Sequence, residues 1–257
     1  MKSYEELVTA ALAAPFHGWD FGWLAGRSHQ ADPSWWYDAR ARQRITDATS
    51  LLDVDTGGGE LLESLAPLPA HCVATETWEP NIPLARERLS PMGVEVRVPN
   101  GDALPAGDGE FDLVLNHHGG APAPEITRVL RSGGTYLEQG VGVHNLDDLN
   151  RALRGPRGSY RETSTLDATT AALQAAGLEI VDGREETPEH TVYDIGALVY
   201  FLKVVSWQVP GFDVDRYDAE LRDLDATIRA DGCIVFHDHR FLVEARKPPA
   251  SADATRP

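Results

Sequence analysis

The stretch LLDVDTGGGELLESL, residues 51–65, decides how the rest of the chain is read. An apolar run with the character of a buried strand ends in three consecutive glycines, and helical spacing follows at once. A glycine turn between a strand and a helix lets backbone approach a ligand without Cβ contacts and aims free N–H groups at it. An aspartate, Asp55, stands at the head of this turn, where a fourth glycine would be unremarkable.

Outward from the turn the pattern alternates. Strand SLLDVD (50–55) leads into a helix over 59–66, and HCVATET (71–77) into a helix over 80–90, followed by VEVRVPN (94–100). FDLVLNHH (111–118) reads as a strand, then a helix over 124–130, then GTYLEQGV (134–141) after RSGG. A helix over 167–176 closes on Gly177 and gives way to LEIVDGREE (178–186). Apolar strands separated by helical patterns predict an α/β fold, a parallel sheet with helices on both faces.

The flanks are less regular. Residues 3–14 have helical spacing with Ser3 as N-cap. An aromatic segment follows, with Phe16, Trp19, Phe21, Trp23, Trp35, Trp36 and Tyr37 among glycines and a proline, read as loop and short helix. It serves either as a lid over a ligand or as packing that anchors the N-terminus. Late in the chain, YDIGALVYFLKVV has helical spacing, WQVPGF is a turn, and RYDAELRDLDATIRADG is an amphipathic helix closing on Gly232. CIVFHDHRFLVEARK reads as two strands or one bent strand. The expected division is an N-terminal helical and aromatic lid segment (1–45), a main domain (46–247) whose last part (about 186–247) holds acceptor-side elements, and a disordered tail (248–257).

Composition narrows the partners. With 40 acidic and 23 basic residues the formal charge is −17, which opposes a phosphate backbone. The densest basic stretch, RALRGPRGSYR (151–161), reads as a solvated loop. No nucleic-acid partner is expected. Cys72 and Cys233 read as free thiols. The N-terminus lacks the apolar core of a secretory signal, and no run approaches the roughly 18 apolar residues of a membrane span. A cytoplasmic protein without a membrane partner is expected.

Two acids sharpen the reading of the turn. Glu76 ends the second strand, where a carboxylate can accept from both hydroxyls of a ribose. Asp102, in NGDALP after the third, can receive the exocyclic amine of an adenine, with Leu104 as an apolar contact. Their bland readings are a helix-capping acid and a turn residue. A dinucleotide site fits less well, because DTGGGELL lacks the third glycine of G-x-G-x-x-G.

On LDVDTGGGE, TETWEPNIPLARERL, GDALPAGDGEFDLVLN and VLRSGGTYLEQ, the chain resembles the class I S-adenosylmethionine-dependent methyltransferases over roughly residues 45–185. Over most of its length it resembles a bacterial group of small methyltransferases with an aromatic N-terminal segment and a late WQVPGF element. The resemblance implies a Rossmann-like, seven-stranded methyltransferase sheet. It implies S-adenosyl-L-methionine as cofactor, S-adenosyl-L-homocysteine as product, and a small-molecule acceptor methylated at O, N or C, in specialised metabolism. Asp53, Gly57 and Gly59 would line the methionine half of the cofactor. Glu76 would hold the ribose, Asp102 and Ala103 the adenine end, and Asn116 the strand edge beneath the sulfonium.

The sequence departs from the family at Asp55, where glycine is usual, and at NHHGG (116–120), where a His-Glu pair is usual. Asp55 either pairs with the ligand's positive charge or narrows the pocket at a backbone angle that favours glycine. His117 and His118, at the carboxyl end of the fourth strand, are the candidate general bases, opposed by backbone-bonded structural histidines. Glu138, Gln139, His144 and Asn145 are secondary candidates. His237 and His239 would share one strand face, but no third ligand accompanies them, and no metal is expected. Tyr193, Trp207 and Phe212 either close an aromatic acceptor pocket or pack in the core. A monomer or homodimer is expected. Alternatives are a methyltransferase-fold enzyme with non-methylating chemistry and a non-catalytic binding protein on the same scaffold.

Overall fold

Ser50–Val54 is buried at every position. Only a strand covered on both faces is buried at successive positions in this way. The computed structural model describes residues 2–249. In chain order its first elements are α1 (Tyr4–Ala13), β1 (Ser28–Gln30), α2 (Tyr37–Asp47), β2 (Ser50–Val54), α3 (Glu60–Ser64) and β3 (His71–Thr75). Next come α4 (Asn81–Leu89), β4 (Glu95–Arg97), β5 (Phe111–His117), α5 (Ala123–Val129), β6 (Leu130–Val141), α6 (Asp147–Ala152) and α7 (Leu166–Ala175). The last are β7 (Glu179–Glu186), β8 (Glu189–Val192), α8 (Ile195–Val204), α9 (Asp218–Asp231), β9 (Ile234–His237) and β10 (Arg240–Arg246). The tail expected to be disordered lies, from residue 250 on, outside the described residues.

The chain forms two compact units. One comprises residues 35–140, 165–185 and 241 onward, and holds a seven-stranded sheet in the order β4-β3-β2-β5-β6-β10-β7. The pairs β2–β3, β2–β5, β3–β4 and β5–β6 are parallel. Successive residues of a strand point to opposite faces. Accordingly Leu51, Leu113 and Leu115 pack with Ala41 and Ile45 of α2 and Ala85 and Leu89 of α4. Leu52 and Val114 pack with Ile126 and Val129 of α5 and Leu173 of α7. This is the predicted α/β sheet with helices on both faces.

The other unit comprises residues up to 34, 141–164 and 186–240. It holds a three-stranded sheet, β1-β8-β9, with both pairs antiparallel. Ser3 caps α1 in a reciprocal box with Glu6. At the other end of α1, Lys203 Nζ donates to the carbonyls of Ala11, Leu12 and Ala14 at 2.9, 3.2 and 2.6 Å. Residues 195–202 of α8 are all buried, and Leu198, Tyr200 and Leu202 share a core with Leu7, Val8, Leu221 and Phe236. Much of the aromatic segment packs within this unit. Phe16 lies 5.4 Å from Phe21 between ring centres, Trp23 stacks on Tyr200 at 4.6 Å, and Trp19 meets Trp207 edge-on at 5.9 Å.

Several expectations are refined or corrected. Residues 37–47 form a helix that the reading of the aromatic segment, which ended at Tyr37, did not extend to; Tyr37, Ala41 and Ile45 recur every four residues and bury one stripe of an otherwise Arg-rich surface. Of the two readings of 233–247 the structure takes the first, two strands, which lie in different sheets and break at Asp238–His239. His237 and His239 therefore share no strand face. His237 is exposed and pairs with Asp148 at 2.9 Å, whereas His239 is buried and accepts from the backbone N–H of His144 through Nδ1. Tyr193 and Trp207 are partly exposed, and Phe212 stacks on Tyr217.

Candidate active site

Register in the parallel sheet brings the site together. Asp53 pairs with Ala74 on one side and Leu115 on the other, and Asn116 sits between Val54 and Glu138. The carboxyl ends of β2, β3, β5 and β6 thus lie side by side, where open α/β sheets place their ligands.

The turn after β2 has the conformation its glycines permit. Gly57 and Gly59 adopt positive φ, 65° and 86°, and Gly59 opens α3 with Leu89 where its side chain would be. Arg88 braces the turn by donating to the Gly58 carbonyl at 2.9 Å. Asp55 also has positive φ, 53°, a region that aspartate tolerates better than most residues. Its N–H donates to Thr75 Oγ1 at 3.1 Å, and its Oδ2 accepts from the N–H of Gly120 at 3.0 Å. A Cβ on Gly119 would stand 2.6 Å from Asp55 Cβ.

Glu76 is buried, and Oε1 accepts from the N–H groups of Thr77 and Trp78, each at 2.7 Å. Its Oε2 meets only a long contact, 3.4 Å, from Asn81 Nδ2. One oxygen thus fixes the turn into α4 while the other has bonding capacity left. Asp102 and Ala103 are exposed on the turn after β4, and Asp102 makes no hydrogen bond or ion pair among the described residues. Asp53 and Asn116 are buried. Desolvation pushes the Asp53 carboxyl up to about 7, with the Thr56 hydroxyl opposing and the charges of Asp55 and Glu76 adding to the rise. Burial likewise raises Asp55 and Glu76 above the usual carboxylate range.

A second network occupies the ends of β5 and β6. Gly119 N–H donates to Asn116 Oδ1, Asn116 Nδ2 to the Tyr136 hydroxyl, and that hydroxyl to Glu138 Oε2, each at 2.9 Å. Burial pushes Glu138 up to about 7. His117 is partly buried and His118 exposed, with positive φ, 66°. The two rings stack at 4.0 Å, and the Nε2 atoms contact Gln139 Nε2 at 2.9 and 3.2 Å. Gln139 is held in turn by Trp35 Nε1, which donates to its Oε1 at 2.6 Å. In the second unit, His144 pairs with Asp147, and Asn145 bonds Tyr160 and Gln208.

Sequence reasoning missed two residues. Tyr37 is buried with a hydroxyl that has no close hydrogen-bond partner, and burial and then the charges of Asp53 and Glu138 hold its phenol well above the ordinary range, with the Asn116 backbone opposing. Asn81 Oδ1 is also buried and unpartnered, beside Glu76. An asparagine five residues after an acidic strand end was a legible signal for the second. The first stood in the aromatic segment, where nothing local marked its hydroxyl. Such orphaned polar atoms next to a glycine cradle suit a polar ligand with hydroxyl and amino groups.

Residues 52–137 match the family described as a methyltransferase domain. Over those residues the chain is similar to that family. The ubiquinone biosynthesis O-methyltransferase of Dinoroseobacter shibae is 33% identical to it over 151 residues, 51% of this chain and 60% of that protein. The chain thus spans about three-fifths of the length of the curated relatives it matches. The fold of a functionally unknown protein from Deinococcus radiodurans R1 aligns with a TM-score of 0.60 at 19% identity, covering 86% of this chain and 90% of that one. A candidate methyltransferase from Bacillus halodurans C-125 aligns at 0.57 and 22% identity, covering 82% and 98%. These two structures agree with the methyltransferase domain in fold. Among the described residues no helix is long and apolar enough to cross a membrane, and no three His, Cys, Asp or Glu side chains group as a metal centre requires.

Proposed function

We propose that the protein transfers a methyl group from S-adenosyl-L-methionine to a small molecule. The reading is carried by one observation: buried Glu76, with bonding capacity left on Oε2, ends the strand beside the glycine turn, and the unpartnered amide oxygen of Asn81 lies beside it. When bound, the cofactor supplies an electrophilic methyl carbon on a sulfonium. Glu76 Oε2 accepts from the ribose, Asp102 and Ala103 meet the adenine end, and Asn116 forms the strand edge. Asp53, Gly57 and Gly59 line the methionine half.

The protein's chemical work is alignment, exclusion of water and removal of the acceptor's proton. Glu138 suits the last task, because Tyr136 fixes one of its oxygens and its affinity for a proton is matched to neutral pH. His117 and His118 are the rival bases, and their contacts with Gln139 orient them. Relatives named O-methyltransferases put oxygen first among acceptor atoms, ahead of nitrogen and carbon. A small molecule of specialised metabolism with an acceptor hydroxyl is the class to test, a catechol serving as probe. The lid role of residues 1–45, a cytoplasmic location, the lack of a nucleic-acid partner and a monomeric or homodimeric state belong to the same reading.

Isothermal titration with S-adenosyl-L-methionine and S-adenosyl-L-homocysteine tests the cofactor, and mass spectrometry of catechol probes incubated with the former tests transfer. Binding together with a methylated catechol supports the proposal. The absence of binding at millimolar concentration overturns it, and binding without transfer to any acceptor favours non-methylating chemistry or a binding role on this fold.

A further inference from the structure

Asp53, Asp55 and Glu76 occupy neighbouring strand ends in one unit, and none of the three has an ion-pair partner among the described residues. Asp53 and Glu76 are buried, and Asp55 is partly so. Two other buried acids are paired with arginine: Glu244 meets Arg40 and Arg44, and Asp238 meets Arg240. Unpaired carboxylates gathered out of water are costly, and their mutual repulsion raises the cost. Two independent features show that the place is built to receive something. The Tyr37 hydroxyl, in a residue 4% exposed, has no close hydrogen-bond partner, only the Asn116 backbone within longer reach, and it feels the Asp53 charge. The Asn81 amide oxygen, on a side chain 1% exposed, is equally unpartnered beside Glu76.

Asp55 is the member that the glycine turn itself does not need. Its conformation is one that glycine adopts freely, so the carboxylate is an addition to the cradle. The hydrogen bond from Gly120 holds it in place, and its charge raises both Asp53 and Glu76.

We propose that Asp55 makes this site select a cationic nucleoside sulfonium over the neutral thioether that remains after methyl transfer. This rests on the proposed cofactor. In the transfer the acceptor's lone pair forms the new bond to carbon, and the carbon–sulfur pair stays on sulfur. The positive charge therefore leaves the sulfonium with the methyl group and is cancelled when the acceptor loses its proton. The three carboxylates then face a ligand with one positive charge fewer, and the product is released more readily than substrate.

The test measures affinity by isothermal titration with three nucleosides: S-adenosyl-L-methionine, S-adenosyl-L-homocysteine, and sinefungin, in which a protonated amine replaces the methylsulfonium. Wild type is compared with Asp55→Asn and Asp55→Gly. Both replacements tolerate positive φ, and Asn keeps an oxygen for the Gly120 N–H, so the fold is retained; thermal melts confirm it. The expected result is that wild type binds the two cationic nucleosides more tightly than the thioether. Asp55→Asn should shrink that preference by roughly tenfold, mainly through weaker binding of the cations. An unchanged ratio in Asp55→Asn, or sinefungin behaving like the thioether, overturns the inference while leaving the cofactor reading intact. Failure of wild type to bind any of the three overturns both.

Discussion

The carboxylate of Asp55 accepts a 3.0 Å hydrogen bond from the backbone N–H of Gly120, and its Cβ stands where any side chain at Gly119 would begin. Asp55 and the Gly-Gly of NHHGG are therefore one structural feature. An acid at the head of the glycine turn requires a residue without Cβ opposite it and a free N–H beyond, and the Gly-Gly of NHHGG supplies both.

Gly119→Ala tests that pairing. The new methyl would lie 2.6 Å from Asp55 Cβ, 2.9 Å from Asn116 Oδ1 and 3.0 Å from the Val54 carbonyl. The variant should lose about 1–3 kcal/mol of stability by denaturant unfolding. In an Asp55→Gly background part of the loss should disappear, giving a coupling of about 0.5–3 kcal/mol in a double-mutant cycle. Strict additivity would show that the two residues act separately.

Asp53 makes ligand-free stability fall as pH rises. Its carboxyl ordinarily titrates at 3.8 and in the fold at about 7, so the folded state holds the extra proton between those values. Stability then declines as pH climbs from about 4 to about 7. Asp53→Asn removes this dependence. Urea midpoints at about pH 5 and about pH 8 should show wild type losing on the order of 2 kcal/mol more than the variant across that interval. Equal losses would mean that Asp53 titrates normally.

Under the proposed function Glu138 and His117 are rival proton acceptors, and pH profiles separate them. With a methylated catechol as readout, Glu138→Gln should lower turnover by about 10²–10⁴-fold and abolish the rate limb near pH 7. His117→Gln should keep that limb and change chiefly the apparent acceptor affinity. The reverse pattern would assign the base to histidine.

Lys203 closes the C-terminal end of α1 through three carbonyls. Lys203→Met keeps the apolar stem of the side chain and removes the donors. A loss of about 1–3 kcal/mol in unfolding is expected, because partly buried carbonyls lose their partner. No change would show that water replaces the ammonium group at no cost.

The alternation of apolar strands with helical patterns was legible because a parallel sheet needs strands buried on both faces, and helices over 59–66, 80–90, 124–130 and 167–176 all lie within a few residues of α3, α4, α5 and α7. α2 escaped notice because three buried residues, Tyr37, Ala41 and Ile45, sit among arginines whose charge hides the stripe. β1 and β8 escaped because each is four residues or fewer, too short for a period to emerge.

The sequence by itself determined the glycine turn, the acid ending β3 and the sheet that sets them at neighbouring strand ends, because these depend on local conformation and on the two-residue period of a strand. Only the tertiary structure decided what Asp55 does. Its partner lies 65 positions away in the chain, and the phenol of Tyr37 reaches the acids from a helix whose own pattern reports nothing but burial. Hydrogen bonds and unpaired charges between distant segments depend on how the chain closes in space, and no local spacing encodes that.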